Sequence, residues 1–130
     1  MARTRLITAD FTENIEYFET PGGDSHSYTE ASGPYEYLLG ALAGCFFYTL
    51  SSYERKCSWK RIRIIASGVK REQVPTTLRE TEIRIIGYGI DDRSDFERLV
   101  EKARNDCSIY NTINKVSNIT CKIEYGEDQI

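Results

Sequence analysis

Hydrophobic and polar residues alternate with a period of two along several stretches of the chain, a pattern typical of strands with one face in water. The clearest stretches are residues 60–66 and 79–86, where isoleucines alternate with charged residues, and they are predicted to be antiparallel neighbours. A last strand is indicated at 119–125. Two strands with a polar break at 12–14 are indicated between residues 2 and 20.

The first predicted helix is apolar on every face. It starts near Pro34, with Glu36 in its first turn, and is expected to run to about Lys56. From Tyr37 to Leu50 it carries no charged residue. Such a helix has to be covered on all sides, which one small domain can hardly do, so we expect a second copy of the chain to help.

Two further helices follow the helical period. Residues 91–95 cap the second helix, residues 105–106 interrupt it, and a third, shorter helix opens at Cys107. A short strand at 25–30 completes the order β-β-β-α-β-β-α-α-β. The prediction is an α+β fold in one domain (1–130), with an antiparallel sheet packed against a long buried helix and two further helices.

Composition and charge argue against several kinds of binding partner and cellular location. The chain has 130 residues, 17 Lys plus Arg against 20 Asp plus Glu, and a formal net charge of -3. This acidic balance argues against nucleic acid and against an anionic membrane as partners. The first residues lack the apolar core of a signal peptide, and the apolar run at 35–50 is too short to span a bilayer comfortably. We therefore expect a cytoplasmic protein.

Four cysteines are spread widely along the chain, at Cys45, Cys57, Cys107 and Cys121. Their spacing excludes C-x-x-C redox motifs and paired zinc knuckles. With His26 as the one histidine, a metal site of Cys and His is not expected either. In a reducing compartment, a thiol pair is more often catalytic or redox-sensing than structural.

Two segments carry a resemblance to a known family. Residues 33–45 read Gly-Pro-Tyr-Glu-Tyr-Leu-Leu-Gly-Ala-Leu-Ala-Gly-Cys, and residues 105–110 read Asn-Asp-Cys-Ser-Ile-Tyr. With this layout, and with the tail at 116–120 that leads into a strand, the chain resembles the OsmC/Ohr family of thiol-dependent hydroperoxide reductases. It looks closest to the YhfA-like branch of that family.

The resemblance implies an intertwined homodimer that defends the cell against oxidative stress. Cys45 would be the peroxidatic thiolate that reduces an organic hydroperoxide and becomes a sulfenic acid. Cys107 would be the resolving thiol that forms a disulfide with it, and an external dithiol would reduce that disulfide. No metal or other cofactor is implied. The alternatives are an OsmC-like redox-sensing or small-molecule-binding dimer without peroxidase turnover, and a purely structural dimer.

A nucleophilic cysteine needs a helix N-terminus or a nearby cation to lower the pKa of its thiol. Cys107 stands at a predicted helix start, whereas Cys45 lies inside an apolar helix and needs an imported cation. In reductases of the family that it resembles, an arginine of the N-terminal strands supplies this charge. The candidates here are Arg3, Arg5 and His26.

Glu36 is the candidate catalytic carboxylate. It lies nine positions before Cys45, which on a straight helix puts the two on opposite sides and about 13 Å apart along the axis. A catalytic role therefore requires an irregular helix near Gly40 or a site completed by the partner chain. The other interpretation is that Glu36 offsets the helix dipole.

Overall fold

A computed structural model of the chain describes residues 2–127. The predicted order of strands and helices is confirmed. The elements are β1 (Thr8–Phe11), β2 (Glu16–Glu19), β3 (Ser25–Ser27), α1 (Pro34–Ser51), β4 (Arg61–Lys70), β5 (Leu78–Tyr88), α2 (Arg93–Asp106), α3 (Ser108–Asn114) and β6 (Asn118–Gly126). Within the described residues, no helix is long and apolar enough to cross a membrane.

The chain divides into two compact units between Leu38 and Leu39. The first unit contains an antiparallel sheet in the order β1-β2-β3. Gly23 sits in the turn between β2 and β3 with a φ of 91°, a left-handed conformation that glycine adopts without steric cost. This sheet is largely exposed within the chain, and large apolar side chains such as Phe11 and Ile15 face outward.

Helix α1 begins at Pro34 as predicted but ends at Ser51, about five residues before the predicted end. The hydroxyls of Ser51 and Ser52 donate to the carbonyls of Tyr48 and Thr49, which closes the last turn. Beyond it, the backbone N–H groups of residues 56 and 57 donate to a buried carboxylate of α2, so the chain leaves the helical path.

The sheet of the second unit has the order β4-β5-β6. β4 and β5 are antiparallel neighbours, as predicted. β6 instead runs parallel to β5, where the sequence predicted an antiparallel sheet throughout. The two helices between them form a long crossover connection, which returns the chain to the same end of the sheet and makes parallel pairing possible. Alternation of charge and isoleucine indicates a wet face but carries no information on strand direction.

The second unit has a buried core drawn from α1, β5 and α2; α2 contributes the face that its apolar periodicity predicts, whereas the apolar pattern of α1 singles out no face. The fully buried residues include Leu42, Phe46, Leu50, Ile83, Ile85, Phe96, Leu99 and Ala103. Asp92 caps α2, because its side chain accepts a hydrogen bond from the backbone N–H of Asp95. The buried residues and the Asp92 cap hold α2 in place, and Cys107 follows at the junction of α2 and α3.

Candidate functional site

Two thiols that lie 62 positions apart in sequence meet in the second unit. The Sγ of Cys107 donates a hydrogen bond to the Sγ of Cys45, and the two sulfurs are 3.3 Å apart. Both cysteines are free thiols. A disulfide bond is about 2.05 Å long, so an approach of about 1.2 Å would join them.

Cys45 lies in the middle of α1 and is half-buried. Its carbonyl also accepts a hydrogen bond from the hydroxyl of Thr49, at 2.8 Å. The next residue, Phe46, is fully buried and contacts the ring of Tyr110 in α3, with ring centroids 6.0 Å apart. A helix turn inside the core therefore holds Cys45, and part of the residue remains open to solvent.

Cys107 is fully buried between two helices. Its backbone N–H donates to the carbonyl of Ala103, which is the last bond of α2, and its Sγ accepts from the backbone N–H of Tyr110 as the N-cap of α3. Burial nevertheless raises the pKa of the Cys107 thiol to about 11, against the lowering effect of the Tyr110 N–H. Cys107 does stand at a helix start, as predicted, but desolvation raises the pKa of its thiol by more than the cap lowers it.

The two remaining cysteines lie on other segments of the chain than this pair. Burial raises the pKa of Cys57 and of Cys121 to about 11 each. Cys57 follows the end of α1, and Cys121 lies in β6 opposite Ile83 of β5. Among residues 2–127, no three side chains of His, Cys, Asp or Glu come together in a group that could hold a metal ion.

Glu36 closes the N-terminus of α1. Its Oε1 accepts a hydrogen bond of 2.8 Å from the backbone N–H of Gly33, the reciprocal half of a capping box. Helix α1 is continuous through Gly40, so the irregular start that a catalytic Glu36 would have used is not formed. A role for Glu36 at a site completed by the partner chain stays a prediction.

The candidate cations lie in the first unit. Arg3 and Arg5 precede β1 and are exposed. His26 lies in β3 and stacks on Phe18 of β2, with ring centroids 5.0 Å apart. Their proposed effect on the Cys45 thiolate stays a prediction.

Side-chain hydrogen bonds around Cys107 were not identified from the sequence. The hydroxyl of Tyr53 donates to the carboxylate of Asp106 at 2.6 Å, which ties the segment after α1 to the residue before Cys107. Burial and this hydrogen bond raise the pKa of Tyr53 to about 12, so its hydroxyl remains a donor. The Nδ2 of Asn111 donates to three carbonyls of the connection between α2 and α3. In the sequence, Asn111 stands four positions after Cys107 at a predicted helix start. This spacing is the only feature from which a hydrogen bond of its amide to the Cys107 carbonyl could have been predicted.

Comparison with known proteins identifies the family. The family model described as OsmC-like protein matches residues 24–122. No curated protein matches the chain.

Several solved structures share the fold. One is a protein from Aquifex aeolicus VF5, at a TM-score of 0.80 and 19% identity over 98% of this chain and 100% of that chain. An OsmC-like protein from Mycoplasma pneumoniae has a TM-score of 0.80 and 15% identity, over 99% and 100%. The organic hydroperoxide resistance protein OhrB of Bacillus subtilis has a TM-score of 0.64 and 14% identity, over 94% and 98%. At these identities, the likeness establishes the fold.

Proposed function

The chain belongs to the OsmC-like protein family, and from this premise we propose that it is a thiol-dependent peroxidase for organic hydroperoxides. The observation that carries the proposal is the hydrogen bond between Cys107 and Cys45, with sulfurs 3.3 Å apart. Two free thiols at this distance are ready to form a disulfide with little backbone movement. Some proteins with this fold are named organic hydroperoxide resistance proteins, which agrees with the proposed substrate class.

The proposed cycle begins at Cys45, because this thiol is partly open to solvent while Cys107 is buried, which raises the pKa of its thiol. The Cys45 thiolate attacks the terminal oxygen of the hydroperoxide. The O–O bond breaks, the alkoxide takes a proton and leaves as the alcohol, and Cys45 becomes a sulfenic acid. The Cys107 sulfur then attacks the sulfenic sulfur, and the thiol proton leaves with the hydroxyl as water. An external dithiol reduces the resulting disulfide and is itself oxidised to a disulfide.

We propose that the active form is a homodimer. Within the single chain, Tyr48 of α1 is 74% exposed, and small residues of the same helix such as Ala41 also face outward. The first unit exposes Phe11 and Ile15 in its sheet region. Apolar surface of this kind is usually covered by a partner. Sedimentation is expected to give twice the chain mass of 14.9 kDa, and a species at the single-chain mass would contradict the dimer.

One observation favours the alternative, a redox-sensing or ligand-binding dimer without turnover. The Glu36 carboxylate is engaged with the backbone N–H of Gly33, so the candidate acid is committed to capping its own helix. A sensor would use the same thiol pair and form the same disulfide, but it would not be reduced rapidly by a dithiol. Turnover therefore separates the two functions.

The test is consumption of tert-butyl hydroperoxide with dithiothreitol or a dihydrolipoyl compound as reductant. Wild-type protein is expected to turn over many equivalents. Cys45→Ser is expected to lose activity by about 10³-fold or more, because the nucleophile is gone. Cys107→Ser is expected to react once with peroxide and then to accumulate the sulfenic acid, which a dimedone-type reagent traps.

Cys121→Ser is the matched control, since this thiol is also partly buried but belongs to β6 and not to α1 or to the junction of α2 and α3, which carry the pair. It is expected to retain wild-type turnover. Equal peroxide consumption by wild type and Cys45→Ser would contradict the enzyme proposal. Stoichiometric oxidation of wild type without turnover would support the sensor instead.

A further inference from the structure

We propose that Asn111 is a positioning residue that holds Cys107 within reach of Cys45. The inference rests on the proposed thiol cycle but concerns only its second step, the closing of the disulfide. The side-chain amide of Asn111 donates to backbone carbonyls and not to either sulfur, so it acts on the backbone that carries Cys107.

The carboxamide of Asn111 bonds to both sides of the turn between α2 and α3. Its Nδ2 donates to the carbonyl of Arg104 at 3.1 Å, of Asn105 at 3.2 Å and of Cys107 at 2.8 Å. The backbone N–H of Asn111 donates to the Cys107 carbonyl as well, at 3.0 Å. The two amide hydrogens thus serve three acceptors, so one hydrogen is shared between two carbonyls.

These hydrogen bonds satisfy backbone carbonyls at the end of α2 that would otherwise lack a donor. Arg104 and Asn105 lie in the last turn of α2, where helix carbonyls have no partner within the helix. A glycine cap would satisfy them by turning the chain in a left-handed conformation. Here Cys107 occupies the corner with an extended φ of -65° and ψ of 118°, and a side chain from the next helix supplies the missing donors.

In the proposed cycle, these hydrogen bonds keep the Sγ of Cys107 at a short distance from the Sγ of Cys45. Closure requires the sulfurs to approach by about 1.2 Å from their 3.3 Å separation. A displacement of about 1 Å in such an intramolecular reaction can cost about 10²-fold in rate. Loss of the Asn111 amide frees the corner that carries Cys107, whereas none of the three carbonyls that accept from the Asn111 Nδ2 belongs to α1, which carries Cys45.

The experiment compares Asn111→Ala with wild type in two measurements. In the first, reduced protein is mixed with one equivalent of tert-butyl hydroperoxide, and thiols, sulfenic acid and disulfide are followed after rapid quenching and alkylation. Asn111→Ala is expected to form the sulfenic acid within about twofold of the wild-type rate and to close the disulfide about 10- to 100-fold more slowly. More sulfenic acid is then trapped by a dimedone-type reagent.

The second measurement needs no peroxide. The protein is equilibrated in glutathione redox buffers, and the equilibrium constant for the Cys45–Cys107 disulfide is read from the fraction oxidised. Asn111→Ala is expected to lower this constant about tenfold, which corresponds to a potential shift of about 30 mV. An equilibrium constant and a closure rate both within twofold of wild type would overturn the role of Asn111.

Thr112→Ala is the matched control, because the Thr112 hydroxyl donates only within α3, to the carbonyl of Ser108. It is expected to leave both measurements unchanged; an equal effect of Thr112→Ala would assign the result to general loosening of α3 and overturn the proposal. Asn111→Gln keeps both donors on a longer arm and is expected to fall between wild type and Asn111→Ala. It serves as the test if Asn111→Ala does not fold.

Failure of the proposed peroxidase function can be distinguished from failure of the proposed role of Asn111. If wild-type protein does not react with the hydroperoxide, the peroxidase proposal fails. The glutathione equilibrium of the same variants still decides whether Asn111 positions Cys107.

Discussion

The two thiols of the site are held by different means. Cys45 lies inside α1, where the regular backbone ladder fixes its position and its neighbour Phe46 fills the core. Cys107 lies at a corner between α2 and α3, where side chains make up for hydrogen bonds that the helices lack. A helix interior is insensitive to the loss of one side-chain hydrogen bond, whereas a corner depends on each of them.

The difference also separates the chemical tasks. Part of Cys45 is open to solvent, which suits a group that meets a substrate. Cys107 is fully buried and its pKa is raised to about 11, which suits a thiol that remains protonated until a neighbouring sulfur has been oxidised. The comparison predicts that the Cys107 side is the more sensitive to point substitution.

The largest expected contrast is in reactivity towards a small alkylating reagent. In folded protein at pH 8, Cys107 is expected to be alkylated at least about 100-fold more slowly than in urea, because the residue is buried and burial raises the pKa of its thiol. Cys45 is expected to be less protected. Pulse labelling with iodoacetamide and mass spectrometry of the two peptides measures both.

The raised pKa of Cys107 also predicts how its alkylation rate changes with pH. A raised pKa keeps the thiol protonated through neutral pH, so the labelling rate of Cys107 is expected to rise about tenfold per pH unit between pH 8 and 10. In urea, the rate levels off near the ordinary cysteine pKa instead. Equal protection of Cys45 and Cys107, or a flat pH profile for Cys107, would contradict the assigned roles.

A smaller effect is expected for Tyr53→Phe, which removes the hydrogen bond to Asp106 next to Cys107. The free energy of unfolding in urea is expected to fall by about 1 kcal/mol. Disulfide closure is expected to slow by about two- to threefold, since Asn111 still holds the corner. Tyr48→Phe is the control, because Tyr48 is exposed on α1, and a comparable loss there would show that the effect is not specific to the corner.

The smallest effect is expected on the Cys45 side. Thr49→Val keeps the side-chain shape and removes only the hydroxyl that donates to the Cys45 carbonyl. The helix ladder remains, so the free energy of unfolding is expected to change by less than about 0.5 kcal/mol. Both steps of the thiol cycle should stay within twofold of wild type. A slower disulfide closure in this variant than in Tyr53→Phe would reverse the comparison.

Much of the fold was predictable, because its signals are local. Periodicity identified every strand and helix in the right order, and capping residues placed the start of α1 at Pro34 and the cap of α2 near Asp92. The end of α1 was misplaced, since it depends on serine hydroxyls and on a buried carboxylate of a distant helix. The prediction of an antiparallel sheet was wrong for β6, because the direction of this strand is decided by the crossover through α2 and α3.

The candidate site was predictable only in part. The pairing of Cys45 with Cys107 followed from a family resemblance, and the 3.3 Å contact agrees with it. The direction of the Cys107 pKa shift does not follow from the sequence, because a helix start and burial act in opposite directions and only the degree of burial decides between them. Tyr53 and Asn111 were missed because their partners are fixed by the fold.

Local propensities and spacing account for the elements, for the apolar face of α2, for the place of Cys45 inside a helix and for that of Cys107 at a helix start, because these signals act within a few turns of chain. The packing of distant segments accounts for the hydrogen bond from Cys107 to Cys45, for the burial that raises the pKa of Cys107 and for the hydrogen bonds of Asn111 at the corner. Desolvation and hydrogen-bond geometry depend on which distant segments pack together, and local sequence does not specify that packing.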